Sequence, residues 1–239
     1  MPLSAPPAPA RAALLAGLRD TFPLLVGGWP FGLIFGALAV TSGFSPLGAA
    51  AMSALVFAGS AQFISVGLVA AGTPAGVIIL AVFVINLRHM LYAATLAPHL
   101  KKLPARWLLP LGFWLTDESF VVAAKHFEET KNNADKKWYL LGSELGMYAD
   151  WQVVTWIGIL AGQQIKDPQS WGLDFAMAVT FIGMLVPMIK DRPTLAAALA
   201  AGGAALLANG LPHQLGLLLA AILGIAAGVM VEGKRQIKR

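Results

Sequence analysis

The sequence predicts an all-α integral membrane protein: a polytopic helical bundle of about eight spans, or seven if the seventh is re-entrant, with the first span interrupted near Gly28 and Pro30. Two observations carry this. Of the 239 residues 57% are hydrophobic and only 12% charged, against about 25% charged in soluble domains, and the mean hydropathy is +0.70. The apolar runs are also roughly 20 residues long and separated by short polar connections, the length needed to cross a hydrocarbon core.

The first ten residues, MPLSAPPAPA, carry four prolines and no charge and read as an irregular lead. Arg11–Asp20 forms either an amphipathic helix at the interface or an N-terminal extension of the first span. Residues 1–20 are thus a lead, 21–231 a single transmembrane helical domain, and 232–239 a basic cytoplasmic tail. The expected spans are Thr21–Val40, Pro46–Ala71, Pro74–Ala97, Pro104–His126, Lys137–Ala161, Trp171–Ile189, Pro193–Asn209 and Pro212–Val231. Breakers mark the junctions, among them Gly43 to Pro46, Gly72 to Pro74, Arg192-Pro193 and Gly210 to Pro212.

Lysine and arginine set the orientation. With a cytoplasmic N-terminus, twelve bases fall on the cytoplasmic side and four, Lys101, Lys102, Arg106 and Lys166, on the other. Both termini are therefore expected inside, and the Lys101–Arg106 group stands as an exception. Because the bases lie in loops and at span ends, the net charge of +5 reads as membrane flanks, with no nucleic-acid partner. The chain has no cysteine, which excludes disulfides and thiol chemistry. It also lacks a His-Glu-x-x-His, a Gly-x-Ser-x-Gly and a Walker lysine motif, so neither an enzyme nor a cofactor is expected.

The polar residues near the centres of the early spans are the candidate site. Arg88 stands in the apolar run 75–97, where a charge costs about 2.5–3.5 kcal/mol on insertion scales. Asn86 and His89 flank it, Asp117 and Glu118 lie at the centre of the fourth span, and Asp150 at that of the fifth. Ser60 and Gln62 hold the centre of the second span, and Gly28 and Pro30 would break the first, freeing backbone groups to line a cavity. Three carboxylates share one fixed cation, so a surplus carboxylate is a candidate proton carrier. Two readings stay open for Arg88: a substrate ligand, or a lock between the third and fourth spans. A glycine at every fourth position, Gly28, Gly32 and Gly36, leaves close helix contact as a second reading of the first span.

Four blocks in order make a resemblance. Phe22-Pro23 with Pro30 to Leu33 and Phe35-Gly36, then Phe57 to Phe63, Asn86 to Tyr92 and Leu115 to Phe120, resemble the AzlC family over about Phe22 to Pro187. The resemblance implies the large subunit of an exporter of valine, leucine and isoleucine, with methionine as a further candidate. It also implies a bacterial cytoplasmic (inner) membrane location and a small hydrophobic AzlD-type membrane subunit as partner. Residues and resemblance together predict a secondary transporter, coupled to protons, working in the lipid bilayer. The alternative is a passive channel, or a transporter for another small zwitterionic or polar solute.

Overall fold

Glycines at helical spacing build the frame of the molecule, seen here in a computed structural model that describes residues 10–130, 135–165, 189–208 and 215–237 with a few positions between them. The first helix, α1 (Ala10–Thr41), and a second long helix, α8 (Lys136–Gly162), lie side by side. A Cβ added to Gly17 or Gly36 of α1 would collide with backbone carbonyls of Tyr139 or Thr155, and one on Gly142 or Gly158 of α8 with those of Leu14 or Leu33. Each backbone thus occupies the space the other's missing side chains leave, the small-residue packing that membrane helices use. Leu14 meets Gly142 and Ala37 meets Gly162, so the two helices run parallel. The hydroxyls of Thr21 and Ser143 bond at 2.6 Å between them.

No interruption occurs at Gly28–Pro30, where the sequence predicts one. The helix α1 is continuous through Pro23 and Pro30 for 32 residues. The missing Pro30 donor falls on the exposed side, while Gly32 and Gly36 on the buried side keep the turns that follow pressed on α8. Arg11–Asp20 belongs to the same helix, since α1 starts at Ala10.

The breaks lie instead in the next three apolar runs. Between α1 and α8 come α2 (Pro46–Val56), α3 (Gly59–Ala70), α4 (Ala75–Asn86), α5 (Arg88–Leu100), α6 (Ala105–Trp114) and α7 (Asp117–Glu129). Phe57, in a left-handed conformation (φ 41°), ends α2. Leu87 alone separates α4 from α5. Leu115 and Thr116 are extended, and Thr116 caps α7 in a reciprocal box with Ser119, which starts a helix where a continuous span would need none to start.

Contacts with α8 give the direction of each piece. Ser53 of α2 meets Thr155 and Phe57 meets Tyr148, so α2 runs antiparallel to α8 and stops part-way along it. Trp107 of α6 packs on Trp138, and Trp114 on Tyr148, so α6 runs parallel to α8. Helix α7 then returns, with Asp117 at the far level and His126 stacked on Tyr139 at 3.6 Å. The expected fourth span, Pro104–His126, therefore does not cross: α6 and α7 form a re-entrant hairpin with both ends at the start of α8. Ten and thirteen residues rise only about 15 and 20 Å, half a bilayer. Its turn is buried, at Leu115 and Ser119, which is where non-helical backbone is tolerated at membrane depth.

Helix α5 runs alongside α7, from Arg88 at Asp117 through Tyr92 on Phe120 to His99 beside Phe127 and Lys136. Lys101, Lys102 and Arg106 follow at that same end, together with Lys136, Lys137 and the Arg11–Arg19 end of α1. The exception in the charge count thus disappears, because it came from treating the hairpin as a crossing. Lys102→Cys and Lys137→Cys, in this cysteine-free chain, should be labelled by an impermeant maleimide from one side of the membrane, and Phe44→Cys from the other. Labelling of Lys102→Cys from the Phe44 side would restore the crossing.

Packing divides the chain into two units: Met1–Gln62 with Ile85–Lys166, and Phe63–Val84 with Asp167–Arg239. The first holds α1, α2, the first turn of α3 and α5 to α8, while the rest of α3 and nearly all of α4 belong to the second. In the second, α9 (Arg192–Leu207) starts on Asp191, whose side chain accepts from the Thr194 amide at 2.8 Å, and pairs antiparallel with α10 (Leu215–Ile237) through Gly216, Gly224 and Gly228. Residues 1–9 of the lead, most of the expected span Trp171–Ile189 and the last two residues of the tail lie outside the described residues.

Candidate functional site

Two helix tips meet on one residue. Tyr148 of α8 carries Phe57, the end of α2, at 4.9 Å between ring centroids and Trp114, the end of α6, at 6.0 Å. Its hydroxyl donates to the Ala54 carbonyl at 3.2 Å. Trp151, one turn further, lies against Gly59 at the start of α3. Leu25, Phe57 and Met147 form the buried apolar cluster around this point, with Trp114, Tyr148 and Trp151 packed on it.

The third break joins through charge. Arg88 Nη1 donates to Asp117 Oδ2 at 2.5 Å. Asp117 sits in the first turn of α7, where the helix dipole favours an anion, while Arg88 in the first turn of α5 stands where the dipole disfavours a cation. The pair therefore relieves Arg88 more than Asp117. Both side chains keep access to the surface, 26% and 39% exposed. Glu118 follows in the same first turn, and His89 Nδ1 lies 3.1 Å from the Asn86 carbonyl oxygen.

Around these tips hydrogen-bonding capacity is left over. Buried without a partner are the donors Arg88 Nε, Trp114 Nε1 and Trp151 Nε1, the acceptors Asp117 Oδ1 and Asn86 Oδ1, and both polar atoms of Gln62. Buried polar atoms are nearly always bonded, so a cluster of vacant ones needs an explanation such as a bound solute. The helix interruptions add free backbone donors, since the first amides of a helix have no intrahelical partner.

The structure brings Arg88, Asp117, Glu118 and Asn86 to one junction, with Ser60 and Gln62 in the first turn of α3, just beyond the Phe57 tip that packs on Tyr148. Asp150, Gly28 and Pro30 are elsewhere. Asp150 accepts from Trp29 Nε1 at 2.8 Å, and two residues along a helix from Tyr148 it points about 200° away from the tips. A Cβ on Gly28 would meet nothing, and Pro30 is exposed. Equal depth along a span does not mean the same face. Sequence reasoning missed Tyr148 and Trp151. Their spacing of three puts them on one side of α8, and that periodicity was the available signal.

Residues 23–165, from α1 to just past α8, match the family described as AzlC protein. The chain belongs to the AzlC family. Among relatives of this AzlC-family protein, an uncharacterized membrane protein of Archaeoglobus fulgidus is 36% identical over 91% of this chain and 93% of its own. The inner membrane protein YgaZ of Escherichia coli is 27% identical over 83% and 82%. The branched-chain amino acid transport protein AzlC of Bacillus subtilis is 29% identical over 74% and 69%. No solved structure matches the chain.

Proposed function

We propose that this AzlC-family protein is a secondary transporter that exports branched-chain amino acids across the cytoplasmic membrane, coupled to protons and acting with a small hydrophobic membrane subunit. The junction of helix tips carries this reading. A zwitterion needs one anion site and one cation site a few ångströms apart with a neutral surround, and Arg88 bonded to Asp117 provides both charges. Arg88 Nε and the indole donors would take the carboxylate, Asp117 Oδ1 and Asn86 Oδ1 the ammonium, and Phe57, Trp114 and Leu115 the aliphatic side chain. The substrate class follows the name of the Bacillus subtilis relative. The end of α8 where the bases gather is assigned to the cytoplasm by the positive-inside rule.

Leucine counterflow tests this. Vesicles holding the purified protein, with and without the small subunit, are loaded with unlabelled leucine and diluted into labelled leucine. A transient overshoot of label, suppressed by valine and isoleucine and not by aspartate or lysine, is expected. A passive channel gives no overshoot, so smooth equilibration would favour the channel.

A further inference from the structure

Glu144 is a carboxyl with no visible reason to be where it is. It lies on α8 one turn before Tyr148, fully buried at 0% exposure, and neither carboxyl oxygen has a hydrogen-bond partner. Leu140, one turn towards the basic end, packs with Leu96, Leu100, Leu111 and Leu115, while Met147 and Tyr148 on the other side pack with Phe57 and Trp114. The carboxyl therefore lies along α8 between the tip junction and the basic end.

Every element packed on α8 fails to supply it with a counter-charge. Helix α1 brings Arg11 and Arg19, both exposed at the basic end, and Asp20, which accepts from Tyr139, while α2 carries no ionisable side chain. From α5 come Arg88, bonded to Asp117, the half-buried His89 against the Asn86 carbonyl, and His99, bonded to Lys136. Helix α6 brings Arg106, at the basic end, and α7 brings Asp117, Glu118, His126 stacked on Tyr139, and Lys125, Glu128 and Glu129, which are exposed. An ionised carboxylate in such a place loses its hydration with nothing in return. Nor is this a metal site, which would want several ligands: among the described residues no three acidic or imidazole groups converge. A proton needs only one.

Resting on the transporter reading above, we infer that Glu144 is the proton-binding site of the transport cycle. With the tips closed on α8, as here, the carboxyl is neutral. When the α6–α7 hairpin moves off α8, water reaches Glu144, its O–H breaks and the proton leaves to the cytoplasm. A new O–H forms with a proton from outside after the amino acid has left. One neutral zwitterion goes out for one proton in, so each cycle moves one positive charge inward.

The test uses the whole protein in vesicles, with its small subunit if counterflow requires one. Two rates are read, leucine counterflow and leucine efflux under an imposed pH gradient, for wild type and Glu144→Gln. Wild-type efflux should rise at least tenfold with the gradient. Glu144→Gln should keep counterflow within twofold and lose that acceleration. A Gln variant that still accelerates, or one that loses counterflow at an unchanged thermal midpoint, overturns the inference. If the Gln variant does not fold, Glu144→Asp is read instead: coupling retained with a displaced pH dependence supports the assignment, and an undisplaced one overturns it. Wild-type counterflow without any gradient effect defeats this inference and the proton coupling but leaves the amino acid transport reading standing, whereas no wild-type counterflow defeats that reading as well.

Discussion

Exchanging Asp117 for Asn should cut leucine counterflow by about thirtyfold or more, and Arg88→Gln should do the same. Each leaves the other charge without its partner at membrane depth, a loss of about 2–5 kcal/mol for a hydrogen-bonded pair, and about 1.4 kcal/mol corresponds to a factor of ten. The informative variant is the double one. If the pair only ties α5 to α7, Arg88→Gln with Asp117→Asn removes both charges and should restore transport, because two neutral amides can bond to each other. If the pair takes the two ends of a zwitterion, the double variant stays inactive at wild-type abundance and thermal stability. We expect inactivity; recovery to within a few-fold of wild type would reduce Arg88 to a lock.

Gly158→Leu should release α1 from α8 and lower the thermal midpoint in detergent by roughly 10 °C. The new Cβ would run into the Leu33 carbonyl, which is backbone and has no rotamer to yield. Overpacking of this kind costs about 3 kcal/mol, at roughly 2–4 °C per kcal/mol for a chain of this size. Gly27→Leu is the control, since its Cβ would meet nothing within 4 Å. An equal fall in both would mean that glycine replacement as such, and not the interlock, sets the loss.

The helical membrane class was legible because it rests on composition and run length, which no packing can alter. The Arg88 to Asp117 contact was half legible: an arginine in a span demands a carboxylate, yet three were on offer, and neither spacing nor depth separates Asp117 from Asp150. Breaks were misjudged in an instructive way. Pro30 with Gly28 pointed to a break as much as to close packing, but Pro30 falls on an exposed turn of a helix whose other face is held by glycines against α8. Thr116 is a true helix start, and a threonine followed by the acidic pair Asp117-Glu118 is an N-cap pattern the sequence carries.

From the sequence alone came the class, the apolar runs, the need for Arg88 to have a partner and the excess of bases flanking the membrane, all consequences of what each residue costs in hydrocarbon. Only the tertiary structure decided that Pro104–His126 turns back, that two breaks meet on Tyr148 and the third joins through Arg88 and Asp117, that Asp150 faces away and that Glu144 is enclosed without a partner. These depend on which face of each helix meets α8. The glycine interlock sets that face, and a hydropathy profile, blind to direction around a helix, contains no trace of it.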